Sequence, residues 1–129
     1  MKRVALVVAA IMVLAGAFRA GVVYGQSKVE KPKSVLHFVT GKWKAEATDE
    51  QKKAALDGVK TMAESLPGVK RVWLKADRIQ PRDYNYAFAI EFESRAAADA
   101  YVDSAPQKAW YEVYMPARQE SRSYQLTNE

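Results

Sequence analysis

Large apolar side chains recur at every second position in one segment of the chain, which is the period of a half-buried β-strand. The residues are Tyr84, Tyr86, Phe88, Ile90 and Phe92. Residues 34–43 and 69–75 predict two more strands, and the polar alternation over 118–127 predicts an edge strand. The segment 34–43 has apolar residues at both odd and even positions, which point to opposite faces of the sheet. Both faces of this strand are therefore expected to be covered.

A long amphipathic helix is predicted after the first strand. Thr48 and Gln51 have the spacing of a capping box. Apolar residues follow at helical intervals as far as Leu66. Pro67-Gly68 then ends the helix. Gly58, inside this helix, costs on the order of 1 kcal/mol relative to alanine, which indicates close packing or a groove at that position.

The second helical region is predicted in two pieces. Ser94 is a suitable N-cap for a helix over residues 95–103. A shorter helix over residues 107–114 lies between Pro106, which breaks the first piece, and Pro116, which ends the second.

The element order is therefore β-α-β-β-α-β, the ferredoxin-like plan of an α+β protein. In this plan the helices cover one face of the sheet. A domain of this size cannot cover the other face by itself, so a homodimer is expected to bury it.

The N-terminus has the features of a signal peptide. Lys2 and Arg3 precede an uncharged apolar run over residues 4–18, which is too short to span a bilayer in the usual way. Cleavage is predicted before Gln26, leaving a tether over residues 26–33 and a domain over residues 34–127. We expect a periplasmic or secreted protein without stable membrane association; the alternative is an uncleaved anchor.

Charge and cysteine content narrow the partner classes. The chain of 129 residues carries a formal net charge of +5 and no cysteine, so disulfides are excluded. Removing Lys2, Arg3 and Arg19 with the signal peptide lowers the net charge to +2. Acids alternate with the remaining bases, so no clustered basic face is expected and nucleic acid is not a predicted partner.

Several short motifs, in order, resemble the Dabb (stress-responsive α/β-barrel) domain family over residues 34–127. They are His37-Phe38-Val39 leading to Lys42-Trp43-Lys44, Leu66-Pro67-Gly68-Val69, Glu91-Phe92-Glu93-Ser94, and Ala100-Tyr101-Val102 followed by Pro106-Gln107. The resemblance implies a dimeric α+β barrel. It also implies acid–base chemistry at Tyr101, as in the plant polyketide cyclases of the family. Those cyclases have histidines at the positions of Gln107 and Tyr86, so their cyclisation activity is not expected here.

The candidate catalytic residues are His37 and Tyr101. His37 is the only histidine and suits a general base, although a structural histidine in the core is the commoner case. The predicted ligand pocket consists of His37, Val39, Val59, Met62, Tyr86, Phe88, Tyr101 and Gln107. One histidine without cysteine makes a zinc site improbable, and the spacing of Asp99 and Asp103 is typical of a solvated helix face. No metal or cofactor is predicted.

Two functions stay open from the sequence. The first is an exported stress-response domain that binds a small apolar or aromatic molecule, or acts structurally. The alternative is a cofactor-independent enzyme of the lyase or cyclase type, using His37 and Tyr101. An enzyme requires an open pocket in which these two side chains converge, whereas a structural domain would have that space filled.

Overall fold

The computed structural model describes residues 33–128, so the predicted signal peptide and almost all of the predicted tether lie outside the described residues. Seven elements follow one another: β1 (Val35–Trp43), α1 (Asp49–Glu64), β2 (Val69–Trp73), β3 (Tyr86–Phe92), α2 (Arg95–Tyr101), α3 (Ala105–Ala117) and β4 (Arg118–Leu126). The four strands form one antiparallel sheet in the order β2-β3-β1-β4. The predicted α+β, ferredoxin-like fold is confirmed.

The termini of α1 form as the sequence predicts. The Thr48 side chain accepts a hydrogen bond from the Gln51 N–H at 3.2 Å, and the Thr48 N–H donates to Gln51 Oε1 at 2.9 Å. This reciprocal pair satisfies two amide donors that have no partner within the helix. Gly68 follows with a φ of +78°, a conformation that glycine adopts without steric cost.

The helices of the second region differ from prediction at their ends. Val102 is extended, with a ψ of 128°, and Asp103 has a φ of +59°, so α2 ends at Tyr101 rather than Asp103. Ser104 caps α3, which therefore begins two residues before the predicted start. Pro106 fits the first turn because amides there have no partner within the helix. Pro116 does not end α3 but lies in its last turn, where only one internal hydrogen bond is lost.

β2 and β3 are each two residues shorter than predicted, whereas β1 and β4 are each one residue shorter. β2 ends at Trp73 rather than Lys75, and β3 begins at Tyr86 rather than Tyr84. Tyr84 is still buried, but its N–H donates to the carbonyl of Pro81 in a turn rather than to a neighbouring strand. In β3 the apolar alternation begins at Tyr84, two residues before the first hydrogen-bonded pair of the strand. The predicted strand therefore began too early.

The core lies between the sheet and the helix layer. From the sheet come the inward residues of β1 and β3, and from the helices the apolar faces of α1, α2 and α3: Val35, Val39, Tyr86, Phe88, Ile90, Phe92, Ala55, Val59, Met62, Ala98, Trp110 and Tyr114. Among residues 33–128, no helix is both long and apolar enough to cross a membrane.

Candidate functional site

A cleft of about 420 Å³ opens between the edge of the sheet and the α2–α3 region. Its inner wall comes from β1 and the two helices, through His37, Val39, Tyr101, Gln107, Trp110, Tyr111 and Tyr114. Its outer wall is β4, which contributes Arg118, Ser121, Ser123 and Gln125. Ser123 pairs with Val39 in the sheet, and Gln125 pairs with His37. Because the serines of β4 are small, they leave space beside the large aromatic residues of α3.

His37 is buried in the inner wall of this cleft. Its side chain points to the helix-covered face with Val35 and Val39, and only 9% of the residue is exposed. Its Nδ1 has no hydrogen-bond partner among the described residues. Burial lowers the pKa of His37 below its ordinary value of 6.5, because an imidazolium is poorly solvated there. The imidazole is therefore neutral at pH 7, the form in which it can accept a proton.

Tyr101 is the neighbour of His37 in the same inner wall of the cleft. The two ring centroids are 5.5 Å apart, and the rings are tilted by 57°. Burial raises the pKa of Tyr101 to about 12, although a side-chain hydrogen bond with Gln107 acts in the opposite direction. The phenol is thus protonated at neutral pH and can donate a hydrogen bond. His37 and Tyr101 were predicted from the sequence as the candidate catalytic pair. The fold places their rings next to each other beside the open cleft.

Gln107 completes this polar group at the start of α3. It is 5% exposed, and its Oε1 accepts a hydrogen bond from the Asp103 N–H at 2.7 Å. A carboxamide neither takes nor releases a proton near pH 7. Gln107 can therefore orient its neighbours but cannot itself be the base.

The mouth of the cleft carries a positive charge that sequence reasoning did not identify. Arg118 donates a hydrogen bond to Ser121 Oγ at 3.0 Å, and its guanidinium lies 5.8 Å from the centre of the Tyr114 ring. A cation over an aromatic face is favourable. The alternation of Ser121, Ser123 and Gln125 was visible in the sequence, but only the pairing of β4 with β1 shows that these residues face His37.

Four of the predicted pocket residues lie elsewhere. Tyr86 stacks on Trp43 with centroids 3.8 Å apart, and its hydroxyl bonds to the Tyr114 hydroxyl at 2.6 Å. Phe88 packs edge-on against Trp110 at 5.6 Å. Val59 and Met62, on α1, belong to the same core cluster. His37, Val39, Tyr101 and Gln107 line the cleft, whereas these four residues do not. Ligand contact by any of the eight stays a prediction.

Acidic side chains and the histidine are scattered over the described part of the chain. Within residues 33–128, no group of three or more histidine, cysteine or acidic side chains is arranged to hold a metal ion. Asp99 and Asp103 are exposed at the surface of the α2 region.

The chain matches one family model and is similar in structure to many solved proteins. The family model "Stress responsive A/B Barrel Domain" (Dabb) matches residues 35–124. A Dabb family protein from Mesorhizobium loti with a ferredoxin-like fold is 20% identical, with a TM-score of 0.63 over 74% of this chain and 97% of its own. No curated protein matches the sequence significantly.

Two further solved structures share the fold. The hydroxynitrile lyase from Passiflora edulis is 16% identical, with a TM-score of 0.67 over 76% of this chain and 95% of its own. A dimeric protein of unknown function from Bacteroides fragilis is 16% identical, with a TM-score of 0.59 over 76% and 99% of the two chains. At such identities the likeness establishes the fold alone.

Proposed function

The chain belongs to the stress-responsive A/B barrel domain (Dabb) family, and we propose that its cleft binds a small apolar or aromatic molecule. The main support for this proposal is that the space between His37 and β4 is open, with a volume of about 420 Å³. A purely structural domain has no reason to keep this space beside a buried, unpartnered imidazole. Aromatic walls with a few polar groups are typical of small-molecule sites.

The lining favours a flat ligand of modest polarity. Trp110 and Tyr114 are stacked with centroids 4.3 Å apart and an interplanar angle of 14°, and both border the cleft. A planar molecule would pack against these rings, while His37 and Tyr101 supply the polar contacts. Arg118 at the mouth adds attraction for a ligand with a partial negative charge.

A substitution that fills the cleft tests this proposal. Ser123→Phe places a ring in the cleft from an exposed edge-strand position, so folding is preserved. We expect it to weaken binding of 2-acetylnaphthalene, measured by tryptophan fluorescence, at least tenfold. The control is Ala109→Phe, which instead fills the groove of about 560 Å³ between α1 and α3 and should leave binding unchanged. Equal affinities for all three proteins would contradict a site in the cleft.

We propose further that the domain is a homodimer through its helix-free sheet face. Directly paired residues put Trp73, Ala89, Phe38 and Tyr124 in one row across all four strands. Phe38, Trp73 and Tyr124 are 37%, 44% and 54% exposed. An apolar row of this length is unusual on a free surface. The Bacteroides fragilis protein of the same fold is dimeric, which supports a second copy as the occupant of this face.

A cofactor-independent lyase or cyclase type of enzyme is the second candidate. It is favoured by one observation: His37 is neutral, buried and adjacent to Tyr101 in an open cleft. In such a reaction His37 takes a proton from the substrate and Tyr101 donates a hydrogen bond to the oxygen that becomes negative. The hydroxynitrile lyase from Passiflora edulis shares this fold.

Exchange of acidic C–H protons separates the enzyme from the binding protein. In D₂O, an enzyme should speed deuterium uptake at the methyl group of 2-acetylnaphthalene, followed by NMR, by roughly 10²-fold or more. His37→Phe should abolish the acceleration while leaving the ketone bound. Binding of the ketone without accelerated exchange would contradict the enzyme and support the binding protein.

Export is a separate proposal that rests on the N-terminal sequence. Lys2, Arg3 and the apolar run that follows favour a signal peptide, so we propose that the working protein begins at Gln26 in a periplasm or outside the cell. Intact-mass measurement of the protein from its native compartment tests this. Retention of Met1 in a cytoplasmic fraction would contradict it.

A further inference from the structure

Arg118 lies where α3 passes directly into β4. It is the C-cap residue of the helix, where its N–H donates to the Tyr114 carbonyl, and it is also the first residue of the strand. Its side chain is partly buried and lines the cleft. Regular structure on both sides of Arg118 therefore fixes the point from which its guanidinium reaches the cleft.

Two contacts hold this guanidinium in place. One of its N–H groups donates to Ser121 Oγ at 3.0 Å, and the centre of the Tyr114 ring is 5.8 Å from the guanidinium carbon. A guanidinium has five N–H donors in one plane. Ser121 accepts from one of them, and the others have no acceptor among residues 33–128.

The charge of Arg118 is also uncompensated within the described part of the chain. All six ion pairs among residues 33–128 join other side chains. The described residues that line the cleft include no aspartate or glutamate. Whether His37 is neutral or charged, the lining is therefore net positive and attracts an anion.

Arg71, on the opposite face of the sheet, shows what Arg118 lacks. Its Nε lies 2.6 Å from Glu91 Oε2, so this arginine has a carboxylate partner in its own chain. The planar donor groups of a guanidinium match the two oxygens of a carboxylate. In the cleft, a carboxylate of the ligand would take the place that Glu91 takes beside Arg71.

The cation and the aromatic wall of the cleft share a residue. Tyr114 contacts the guanidinium of Arg118 and is stacked on Trp110 with centroids 4.3 Å apart. An anion beside Arg118 therefore lies next to a surface on which a flat ring can pack. Ser121 adds a donor there, because its oxygen accepts from Arg118 while its own proton stays free.

We infer that the ligand of the cleft is an aromatic carboxylate, and that Arg118 is the residue that binds its carboxylate. This inference rests on the proposed function and narrows it from aromatic molecules in general to aromatic acids. Trp110 and Tyr114 pack against the ring, while Arg118 and Ser121 donate hydrogen bonds to the charged group.

Two probes of nearly equal shape test the inference. 2-Naphthoate and 2-acetylnaphthalene have the same ring system, but only the first is charged at pH 7. The wild-type protein should bind 2-naphthoate roughly tenfold more tightly by titration calorimetry, the effect of one charge-assisted hydrogen bond at a partly exposed site. Added salt should reduce this preference, because it screens the charge of Arg118.

Arg118→Gln removes the charge while keeping a hydrogen-bond donor, and should abolish the preference for 2-naphthoate. The matched control is Arg122→Gln, which removes the same charge from the other face of β4, outside the cleft lining, and should keep the preference. A merely structural role of Arg118 would weaken both probes alike and leave their ratio unchanged. If Arg118→Gln does not fold, Arg118→Lys replaces it; without the planar donor groups it should lose part of the preference.

The outcomes distinguish the inference from the proposed function. Equal affinity of the wild type for the two probes overturns the inference and leaves a binding cleft. A preference that survives in Arg118→Gln, or that is lost equally in Arg122→Gln, shows that Arg118 does not bind the carboxylate and also overturns the inference. Binding of neither probe overturns both the inference and the proposed function.

Discussion

His37 illustrates how a single residue can be costly to the fold and useful to a site. Its imidazole is nine-tenths buried, and its Nδ1 has no partner among residues 33–128. Leaving a buried polar atom unsatisfied costs about 1–3 kcal/mol. An apolar residue of similar size would avoid this cost, and this supports the proposal that His37 serves the cleft.

The pH dependence of unfolding should report this burial. The pKa of His37 is lowered in the folded state, so the unfolded chain takes up the proton first as the pH falls. The contribution of His37 to stability is therefore fully present above pH 6.5 and is lost as the pH falls through the lower folded pKa. Urea unfolding between pH 8 and pH 4.5 measures this loss.

The His37→Phe variant is the matched control for this pH dependence. It also tests how much the buried imidazole costs the free energy of unfolding. The variant keeps the ring beside Tyr101 and removes the unsatisfied nitrogen, so we expect it to gain about 1 kcal/mol at pH 8. It should also lose the part of the pH dependence that belongs to the imidazole. A destabilised variant with the wild-type pH profile would show that His37 is satisfied in the fold.

At the level of elements, the packing of α1 against α3 depends on a glycine. Trp110 donates its indole N–H to the Ala55 carbonyl at 2.8 Å, which fixes the ring beside α1. A Cβ at Gly58 would lie 2.8 Å from Trp110 Cδ1, closer than carbon atoms pack. The glycine therefore permits the close approach of the two helices.

Gly58→Ala should consequently destabilise the protein, although alanine is the better helix former. Overpacking typically lowers the free energy of unfolding by about 1–3 kcal/mol, whereas the higher helix propensity of alanine raises it by on the order of 1 kcal/mol. We therefore expect urea unfolding to show a net loss of about 1 kcal/mol. Ala54→Gly, an exposed position in the same helix, should lose about the same amount from propensity alone. Stabilisation by Gly58→Ala would contradict the packing described.

The elements also show which parts of the structure the sequence could predict. The capping box at Thr48 and the alternation in β3 are local patterns. The capping box formed as predicted, and the alternation produced a strand that begins at Tyr86 rather than Tyr84. Gly58 was recognisable as a site of close packing or a groove, but its partner Trp110 was not, because that contact joins residues 52 positions apart. The cleft was the least predictable feature. It depends on the register that sets Ser123 opposite Val39 and on the backbone of Asp103, neither of which leaves a local signal.

For the whole molecule, the two faces of the sheet have different roles. One face holds the core and the cleft, and the other exposes the apolar row that includes Phe38, Trp73 and Tyr124. Near this row, Glu91 is buried and accepts a hydrogen bond from Arg71 at 2.6 Å. The charges are thus paired within one chain, which is consistent with the proposed burial of the apolar row against a second copy.

A charge in this row should separate the proposed dimer. Phe38→Glu puts a carboxylate opposite Tyr124 and Ala89, where dimer burial of at least ~1,000 Å² in total would leave it unpaired. We expect a monomer at tens of micromolar by light scattering. Met115→Glu changes a side chain of similar exposure, 42%, on α3 and should remain dimeric. A dimeric Phe38→Glu variant would contradict the proposed interface.

The proposed binding site depends most on the state of His37, and nitrogen NMR of that residue is its most direct test. Because the chain has one histidine, a protein prepared without a histidine tag gives a single imidazole spectrum. We predict a neutral ring at pH 7, a pKa below 6.5, and a shift of its ring nitrogens when 2-acetylnaphthalene is added. A pKa at or above 6.5, with nitrogen signals that do not respond to the ketone, would contradict the proposed binding site.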